Sequence, residues 1–297
     1  MIQKPFLKWV GGKSQIIDKI MAKFPDTMEN YHEIFLGGGS VLLALLSWQK
    51  ENKITIKRHI CAYDINKSLI SVYNHVQKKK DLLYDAIIKI KNEYDRIQDI
   101  NGNKKPTNKK EGLTSKESYY YWMRIEYNRM KRHTIKRSAI FIFLNKTCFR
   151  GLYRENSGGK FNVPYGHYYN PNIIDKNELD NISNLIKNVK FIHSDFTDSM
   201  KRINCGDFVY LDPPYAPKNK TSFVKYNGCG FDLEMHEKLF KKIHELNNKK
   251  IKFIMSNEKV DLVLDNFSSY KREDIIAKRA INSKKPDSKT TEIIIYN

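Results

Sequence analysis

The sequence is poor in the features that mark disulfide-bonded, metal-binding or membrane-spanning proteins. It has only four cysteines, at positions 61, 148, 205 and 229, and no two are close enough to form a metal-binding knuckle. Its eight histidines show no H-E-x-x-H spacing. The longest apolar run, residues 139–144, is far too short to cross a bilayer, and the first residues lack the apolar segment of a secretory signal. These absences predict a soluble, intracellular (cytoplasmic) protein with reduced cysteines, no bound metal and no membrane attachment.

Positive charge and aromatic side chains are abundant. Lys and Arg number 53 against 33 acidic residues, which gives a formal net charge of +20, and a field of that sign attracts polyanions. Nucleic acid and an anionic membrane surface are the candidate partners, and a solvated lysine-rich surface is the simpler alternative. Aromatic residues make up 12% of the chain, which favours nucleic acid because bases stack on such rings.

Hydrophobic patterning predicts an α/β fold. An apolar segment at residues 31–36 runs into three glycines, and a helical pattern begins at Ser40. A strand, a glycine-rich turn and a helix in this order open many nucleotide-binding folds. Further strands are predicted at residues 59–63, 189–193, 208–211, 251–255 and 292–296, and further helices at 14–24, 68–77, 117–131, 135–145 and 232–246. Several of these strands end in a polar residue, at the sheet edge where open α/β folds bind ligands.

A long insertion interrupts the predicted sheet. Residues 78–175 combine helical stretches with an exposed polar loop at 101–115 and a compact loop at 146–171 that is too rich in aromatic residues to be a simple linker. We therefore predict a sheet-bearing domain formed by residues 1–77 and 176–297, and a second, largely helical domain formed by residues 78–175.

The strongest chemical signal is the tetrapeptide D-P-P-Y at residues 212–215, directly after an apolar strand. An amino group on an aromatic ring, as in adenine, is a poor nucleophile because its lone pair is delocalised into the ring. The Asp212 carboxylate and the Pro213 carbonyl can accept both amino hydrogens and free the lone pair, and the second proline, Pro214, helps to fix the backbone. Tyr215 can stack on the extruded base. The alternative is a strand that ends in a Pro-Pro turn beside a chance aspartate.

Three other segments fit a methyl-donating cofactor. Glycines that follow Phe35, beginning with Gly37, let the backbone approach the methionine part of such a cofactor, although glycine also occurs in such turns for steric reasons. Asp64, at the end of the next strand, can accept hydrogen bonds from ribose hydroxyls or can cap the following helix. In K-W-V-G-G-K, Trp9 can pack on a sulfonium and Lys13 can bind a carboxylate, unless the segment is only a turn with a surface lysine.

The aromatic loop of the insertion fits contact with DNA. Arg150 and Arg154 can each make a bidentate contact to guanine in the major groove. Phe149, Tyr153 and Tyr165 can wedge or stack where a base has left the double helix. For any single residue here, the alternative is a structural loop whose arginines bind phosphate.

Taken in order, these motifs resemble the Dam-type DNA adenine methyltransferases, the alpha-ordered D12 class. The motifs are K-W-V-G-G-K, F-L-G-G-G, A-Y-D, the arginine and aromatic loop, and L-D-P-P-Y, and the resemblance runs from Lys4 to Asn297. It implies a seven-stranded, Rossmann-like catalytic domain that binds S-adenosylmethionine. It also implies that the insertion is a helical target-recognition domain and that the partner is double-stranded DNA.

The resemblance assigns roles to single residues. The implied cofactor contacts are Trp9, Lys13, Phe35, Gly37, Asp64, Asp195, Phe196 and Asp212. The implied catalytic residues are Asp212, Pro213, Pro214 and Tyr215. The implied DNA contacts are Lys8, Phe149, Arg150, Tyr153, Arg154, Asn162 and Pro164, with Arg154 at the position that recognises guanine.

One position suggests the target. Members that methylate GATC tend to carry Asn where this chain has Arg150, and this loop, together with I-N-S-K-K-P-D-S at residues 281–288, is closer to members that methylate CATG. We therefore expect CATG, with GATC as the alternative, and a partner restriction endonuclease against which methylation protects the DNA. An RNA methyltransferase, a protein-glutamine methyltransferase and an inert DNA-binding relative are the other functions compatible with these motifs.

Overall fold

A computed structural model describes residues 1–98, 102–217, 231–278 and 289–297. The chain divides into two compact units. The first consists of Met1–Lys4, Gly12–Asn66 and Asn188–Asn297, and the second of Pro5–Gly11 and Lys67–Lys187.

Nine described strands belong to the first unit. In chain order they are β1 (Thr27–Met28), β2 (Tyr31–Glu33), β3 (Thr55–Ile56), β4 (Ile60–Asp64), β5 (Val189–His193), β6 (Phe208–Leu211), β7 (Lys252–Glu258), β8 (Lys271–Lys278) and β9 (Lys289–Tyr296). Seven of them form one sheet in the order β5-β4-β2-β6-β7-β9-β8, and β1 pairs with β3 separately. The first five strands of this order, β5, β4, β2, β6 and β7, are parallel to one another, and β9 is antiparallel to both of its neighbours. The predicted α/β class and Rossmann-like sheet are confirmed.

The central strands are buried because helices cover the sheet. All four residues of β6 are buried, as is usual for parallel strands enclosed on both faces. The helices among the described residues of this unit are α1 (Ile17–Met21), α2 (Ser40–Lys50), α9 (Phe196–Met200), α10 (Leu233–Asn248) and α11 (Asp261–Asn266). Helix α10 shows how they pack: Leu239, Ile243 and Leu246 recur at helical spacing and are buried in the sheet core.

The second unit is helical. Its helices are α3 (Lys67–Lys78), α4 (Lys80–Asp95), α5 (Lys109–Gly112), α6 (Lys116–Arg129), α7 (Ile135–Thr147) and α8 (Lys176–Leu185), with a short 3-10 turn at Phe149–Gly151. Helix α7 is central and packs against α3, α4 and α6. Tyrosines form much of the surrounding core, including Tyr94, Tyr119 and Tyr127, which are almost completely buried.

The structure departs from the predicted elements in several places. Helix α4 and strand β8 had no predicted counterpart, and only Ile17–Met21 of the helix predicted at 14–24 is α-helical. The short helix α5 lies inside the loop predicted at 101–115. The division into compact units also differs from the predicted domains, because α3, α8 and Pro5–Gly11 group with the helical unit. The assignment of this unit to target recognition remains a prediction.

Candidate active site

The carboxyl ends of five parallel strands meet at one edge of the sheet in the first unit. The glycine turn follows β2, Asp64 ends β4, Asp195 follows β5, and Asp212 follows β6. Asn257 lies near the end of β7. Since neighbouring parallel strands point the same way, these groups share the edge at which open α/β sheets bind ligands. Most of the residues predicted from the sequence as catalytic or cofactor-binding are therefore brought together.

Asp212 forms an ion pair at this edge. The Nζ of Lys13 lies 2.7 Å from its Oδ2, and the side chains are 2% and 20% exposed, respectively. Burial raises the pKa of the Asp212 carboxyl to about 6, while Lys13 lowers it and Glu292 raises it further. The carboxyl is therefore mostly ionised at neutral pH. Lys13 was predicted to contact the cofactor, and the structure places its ammonium on the carboxylate of the tetrapeptide.

The rest of the tetrapeptide is held from two sides. Tyr215 donates its hydroxyl hydrogen to Glu292 Oε2 across 2.7 Å. The backbone N–H of Ala216, the next residue, donates to Asn257 Oδ1 across 3.1 Å. The Lys13 Nζ lies 4.9 Å from the centre of the Tyr215 ring, in cation–π range. The turn is thus anchored to β7 and β9 in addition to being stiffened by its prolines.

A second carboxyl is buried in the strand next to Asp212. Glu33, the last residue of β2, is 2% exposed and accepts a hydrogen bond of 2.7 Å from the Tyr31 hydroxyl. Burial raises the pKa of Glu33 to about 8, and the charge of Asp212 contributes to that rise. Glu33 is therefore largely protonated at neutral pH, which limits the negative charge beside Asp212.

The glycine turn and Asp64 are joined directly. The backbone N–H of Gly37 donates to Asp64 Oδ2 across 3.0 Å, and that of Asn66 donates to Oδ1 across 2.8 Å. Gly37 and Gly39 have φ angles of 50° and 69°, the left-handed region that glycine tolerates best. A carboxylate has about four lone-pair sites, so Asp64 keeps acceptor capacity for ribose hydroxyls.

Aromatic rings lie beside the end of β5. Phe35 and Phe196 are 6.0 Å apart between ring centres, and Phe231 lies within 6.0 Å of each. Asp195 caps α9 by accepting hydrogen bonds from Thr197 N and Asp198 N. An open cavity of about 560 Å³ adjoins this cap. Its lining includes Ile65, His193, Ser194, Asp195, Lys201 and Arg202.

Lys8 and Trp9 belong to the second unit, where they pack on the aromatic loop. The Trp9 ring stacks on Tyr153 with 5.9 Å between the ring centres. The Lys8 backbone is held by the Asn145 side chain, which accepts from its N–H across 2.9 Å and donates to its carbonyl across 2.7 Å. Its ammonium lies 3.9 Å from the centre of the Tyr168 ring. Lys8, a predicted DNA contact, and Trp9, a predicted cofactor contact, therefore both pack against the aromatic loop.

The tip of the aromatic loop is exposed and has an unusual backbone. Phe149 is 42% exposed. Arg150 has a φ of 56°, and its N–H donates to the Tyr168 hydroxyl across 2.9 Å. The Arg150 guanidinium lies 5.3 Å from the Phe149 ring centre. A charged fork and an exposed ring are therefore presented side by side.

The other predicted DNA contacts divide between surface and core. The exposed Arg154 donates from Nε to Asn162 Oδ1 across 2.7 Å, and Pro164 is also exposed. Tyr153 is half-buried against Trp9. Tyr165 is only 7% exposed and its hydroxyl lies 2.5 Å from that of Tyr94, so it is a core residue and the suggestion that it wedges between bases is wrong.

Sequence reasoning missed Glu33 and Glu292. Each is an acidic residue at one end of an apolar strand, and that placement was the available signal. Asn257 closely follows the apolar strand predicted at 251–255, as Asp212 follows the strand predicted at 208–211, so the same signal was available for it.

Comparison with known protein families identifies the family to which this chain belongs. A family model described as "D12 class N6 adenine-specific DNA methyltransferase" matches residues 9–281. The chain belongs to this family. It is an adenine-specific DNA methyltransferase, and S-adenosylmethionine is the methyl donor that D12 methyltransferases use. The predicted activity and cofactor are confirmed, and the RNA, protein-glutamine and inert alternatives are set aside.

Curated relatives agree along nearly the whole chain. This D12 methyltransferase is 36% identical to the Type II methyltransferase M.MjaIII of Methanocaldococcus jannaschii, over 99% of each chain. It is 31% identical to the Type II methyltransferase M1.LlaDCHI of Lactococcus lactis subsp. cremoris, over 99% of this chain and 95% of that one. It is 31% identical to the DNA adenine methylase of Escherichia coli strain K12, over 94% and 90%. Among the described residues, none of the helices is both long and apolar enough to span a membrane.

Proposed function

We propose that this D12 methyltransferase methylates adenine within CATG in double-stranded DNA, with residues 212–215 as its catalytic centre. The observation that carries the catalytic assignment is the anchored tetrapeptide, in which the Asp212 carboxylate is held by Lys13 and the Tyr215 ring by Glu292. The target assignment rests on the exposed loop that carries Arg150 and Arg154.

Asp212 and Pro213 act on the amino group of the extruded adenine. The carboxylate and the backbone carbonyl each accept one amino hydrogen, which draws the nitrogen towards tetrahedral geometry and frees its lone pair for attack. Tyr215 stacks on the base and holds it in the pocket. The proton that the amino group loses passes to solvent after transfer, so a strong base is not required.

The residues at the sheet edge fit the cofactor. S-adenosylmethionine, when bound, supplies an electrophilic methyl group on a sulfonium sulfur. Asp64 offers carboxylate oxygens to the ribose, and the Phe35 and Phe196 rings form an apolar wall suited to the adenine ring of the cofactor. Gly37 brings the backbone close without a side chain, and Asp195 lies at the rim of the adjoining cavity.

The proposed DNA contacts act from the second unit. Lys8, Asn162 and Pro164 approach the DNA backbone and groove, and the exposed Phe149 fills space left by the extruded base. Arg154 recognises guanine through its fork of donors. Tyr153 and Trp9 support this surface by stacking on one another. The contact of Trp9 with the cofactor stays a prediction.

The preference for CATG is argued from Arg150. In GATC, a guanine lies next to the target adenine on the same strand; in CATG, that guanine is on the opposite strand. An arginine donates to the O6 and N7 of guanine, whereas asparagine pairs best with adenine. Both outer pairs contain guanine and differ only in the strand that carries it, so the proposal is that Arg150 donates to the guanine of CATG on the opposite strand, a contact that Asn does not make. Residues 281–288, the other support for CATG, lie outside the described residues.

A restriction partner is part of the proposal. Two of the relatives are named Type II methyltransferases, and such enzymes protect DNA against a nuclease with the same target. We propose that this enzyme protects its own sites from a cognate restriction endonuclease.

The experiment is modification mapping of DNA from cells that lack adenine methylation and express this protein. We expect N6-methyladenine at CATG in the wild type, and none in an Asp212→Ala variant that still binds DNA. Methylation at GATC would overturn the target assignment but keep the catalytic one. Turnover by Asp212→Ala would overturn the catalytic assignment.

An Arg150→Asn variant provides a matched test of the target. Each wrong base pair typically costs about 1–3 kcal/mol in a specific complex. We therefore expect this variant to lose selectivity for CATG over GATC when the two are compared as otherwise identical duplexes. An unchanged ratio of kcat/KM values would remove Arg150 from the argument.

A further inference from the structure

We infer that Lys13 is a positioning residue that keeps the Asp212 carboxylate ionised and oriented to accept an amino hydrogen. This inference rests on the role proposed above for Asp212. It differs from the expected role of Lys13 as a contact of the cofactor carboxylate, and the two roles predict different experimental results.

The position of Lys13 is fixed by its surroundings. Its backbone N–H donates to the Ser40 hydroxyl across 3.0 Å, and its carbonyl accepts from Ile16 N across 3.0 Å. Its side chain is 2% exposed, and its ammonium lies 2.7 Å from Asp212 Oδ2. A buried cation is stable only when it is paired, so the ammonium and the carboxylate depend on each other.

Glu292 opposes the ionisation of Asp212 by adding negative charge. The other nearby titratable groups, Glu33, Tyr210 and Tyr215, have raised pKa values and are largely protonated at neutral pH, so they do not offset the charge of Asp212. Burial acts in the same direction as Glu292, because removing a carboxylate from water disfavours the charged form. Lys13 supplies the positive charge that offsets these effects.

The protonation state of Asp212 decides whether its carboxyl group can accept a hydrogen bond from the amino group. An ionised carboxylate offers only acceptors, whereas a protonated carboxyl carries a donor on one oxygen. A protonated Asp212 therefore competes with the amino group as a donor and no longer draws a hydrogen from it. Loss of Lys13 should raise the pKa of Asp212 and move the acidic limb of the rate profile to higher pH.

The experiment measures single-turnover methylation from about pH 5 to pH 9 with saturating cofactor and DNA. The variants are Lys13→Met and Lys13→Arg. Lys19→Met is the matched control, since Lys19 is an exposed lysine in the adjoining helix. Cofactor affinity is measured separately by calorimetry, and thermal unfolding checks that each variant is folded.

For Lys13→Met we expect the acidic limb to move up by about 1–3 pH units, because an opposite charge at this distance lowers a carboxyl pKa by that amount. Activity at neutral pH should fall by roughly 2- to 90-fold, depending on the size of the shift, and should recover at alkaline pH. Lys19→Met should keep the wild-type profile, and Lys13→Arg, which retains the charge, should keep the wild-type pH midpoint whatever its maximal rate. If Lys13→Met binds the cofactor more weakly but keeps the wild-type pH midpoint, the inference is overturned. It is also overturned if no pH restores the activity of Lys13→Met.

A second measurement does not depend on turnover. Carbon-13 NMR of protein labelled at the aspartate carboxyls can follow Asp212, whose signal is assigned by its absence in Asp212→Asn. The inference requires a higher titration midpoint in Lys13→Met than in the wild type. If Lys13→Met does not fold, Lys13→Gln keeps a polar contact without the charge and should show the same shift. An unshifted midpoint overturns the inference even if the enzyme methylates adenine.

Discussion

Tyr215 donates its hydroxyl hydrogen to Glu292 across 2.7 Å, so the last residue of the D-P-P-Y turn is tied to strand β9. This bond fixes the orientation of the aromatic ring. It also links a loop at the edge of a parallel strand to the antiparallel part of the sheet. Glu292 therefore acts on the proposed catalytic centre from outside the motif.

We predict that Tyr215→Phe is mildly impaired and Tyr215→Ala severely impaired. The phenylalanine variant keeps the ring but loses a bond to a charged acceptor, which is worth about 1–2 kcal/mol or roughly 5- to 30-fold in rate. The alanine variant also loses stacking, worth about 1–3 kcal/mol per base. Single-turnover rates, with 2-aminopurine fluorescence at the target position to follow base extrusion, separate the two effects. Equal rates for both variants would contradict the stacking role.

A second prediction concerns stability and the buried carboxyl of Glu33. Its pKa of about 8 in the folded protein exceeds the ordinary value of 4.5, so the folded state holds the proton more tightly than the unfolded state does. The free energy of unfolding should therefore fall as pH rises from about 4.5 to about 8, by at most about 1.4 kcal/mol per pH unit from this group.

A Glu33→Gln variant tests this linkage. Glutamine does not titrate, so the variant should gain stability relative to the wild type as pH rises through that window and should level off above it. Chemical denaturation at several pH values gives the measurement. Glu234→Gln, at an exposed position in α10, should track the wild type. A stability difference between Glu33→Gln and the wild type that stays constant with pH would refute the prediction.

A third prediction compares two glycines of the aromatic loop. Gly151 and Gly159 have φ angles of 64° and 68°, so alanine at either site costs about 1–2 kcal/mol of backbone strain. A Cβ on Gly151 would lie 2.3 Å from the Cβ of Lys8, whereas a Cβ on Gly159 meets nothing within 4 Å. Because Asn145 holds the Lys8 backbone, the clash can be relieved only by breaking those hydrogen bonds or by moving the loop.

Gly151→Ala should therefore lose more stability than Gly159→Ala, by about 1–3 kcal/mol, and should also weaken DNA binding by displacing Lys8. Denaturation curves and DNA affinities of the two variants provide the comparison. Matching losses in both variants would mean that Lys8 and Gly151 are not in contact.

The fold was predictable where apolar segments end sharply. Residues 189–193 and 208–211 were expected as strands and coincide with β5 and β6. Helix α4 was missed although its buried residues, Leu83, Ile87 and Ile90, recur at helical spacing, because the charged composition of the surrounding segment indicated a loop. Strand β8 was missed because it begins K-R-E-D, a polar pattern that favours a loop.

The residues of the candidate site could be predicted from the sequence, but the contacts between them could not. D-P-P-Y and Asp64 were expected at the carboxyl edge because strands precede them. The ion pair between Lys13 and Asp212 joins residues far apart in the chain, and no local pattern contains that information. The abundance of aromatic residues in the loop is equally typical of a small core and of a stacking surface, which is why Tyr165 was misjudged.

The last prediction concerns how Arg154 recognises a base. Asn162 Oδ1 accepts the Arg154 Nε–H across 2.7 Å, which orients the guanidinium while one terminal nitrogen donates to the Asn162 carbonyl across 3.5 Å and the side chain stays exposed. Arginine and lysine carry the same charge, but only arginine presents a planar fork that matches guanine O6 and N7. Charge and shape can therefore be tested separately at this position.

Arg154→Lys should keep the salt dependence of DNA binding, because that dependence counts the phosphates neutralised. It should lose discrimination against sites altered at one outer base pair, by about 1–3 kcal/mol. Asn162→Ala should lose part of the same discrimination, because it frees the guanidinium to rotate without changing its charge. The measurement is the affinity for matched and altered duplexes at several salt concentrations. If Arg154→Lys keeps both the salt slope and the selectivity, Arg154 contacts phosphate, and the guanine contact belongs to Arg150.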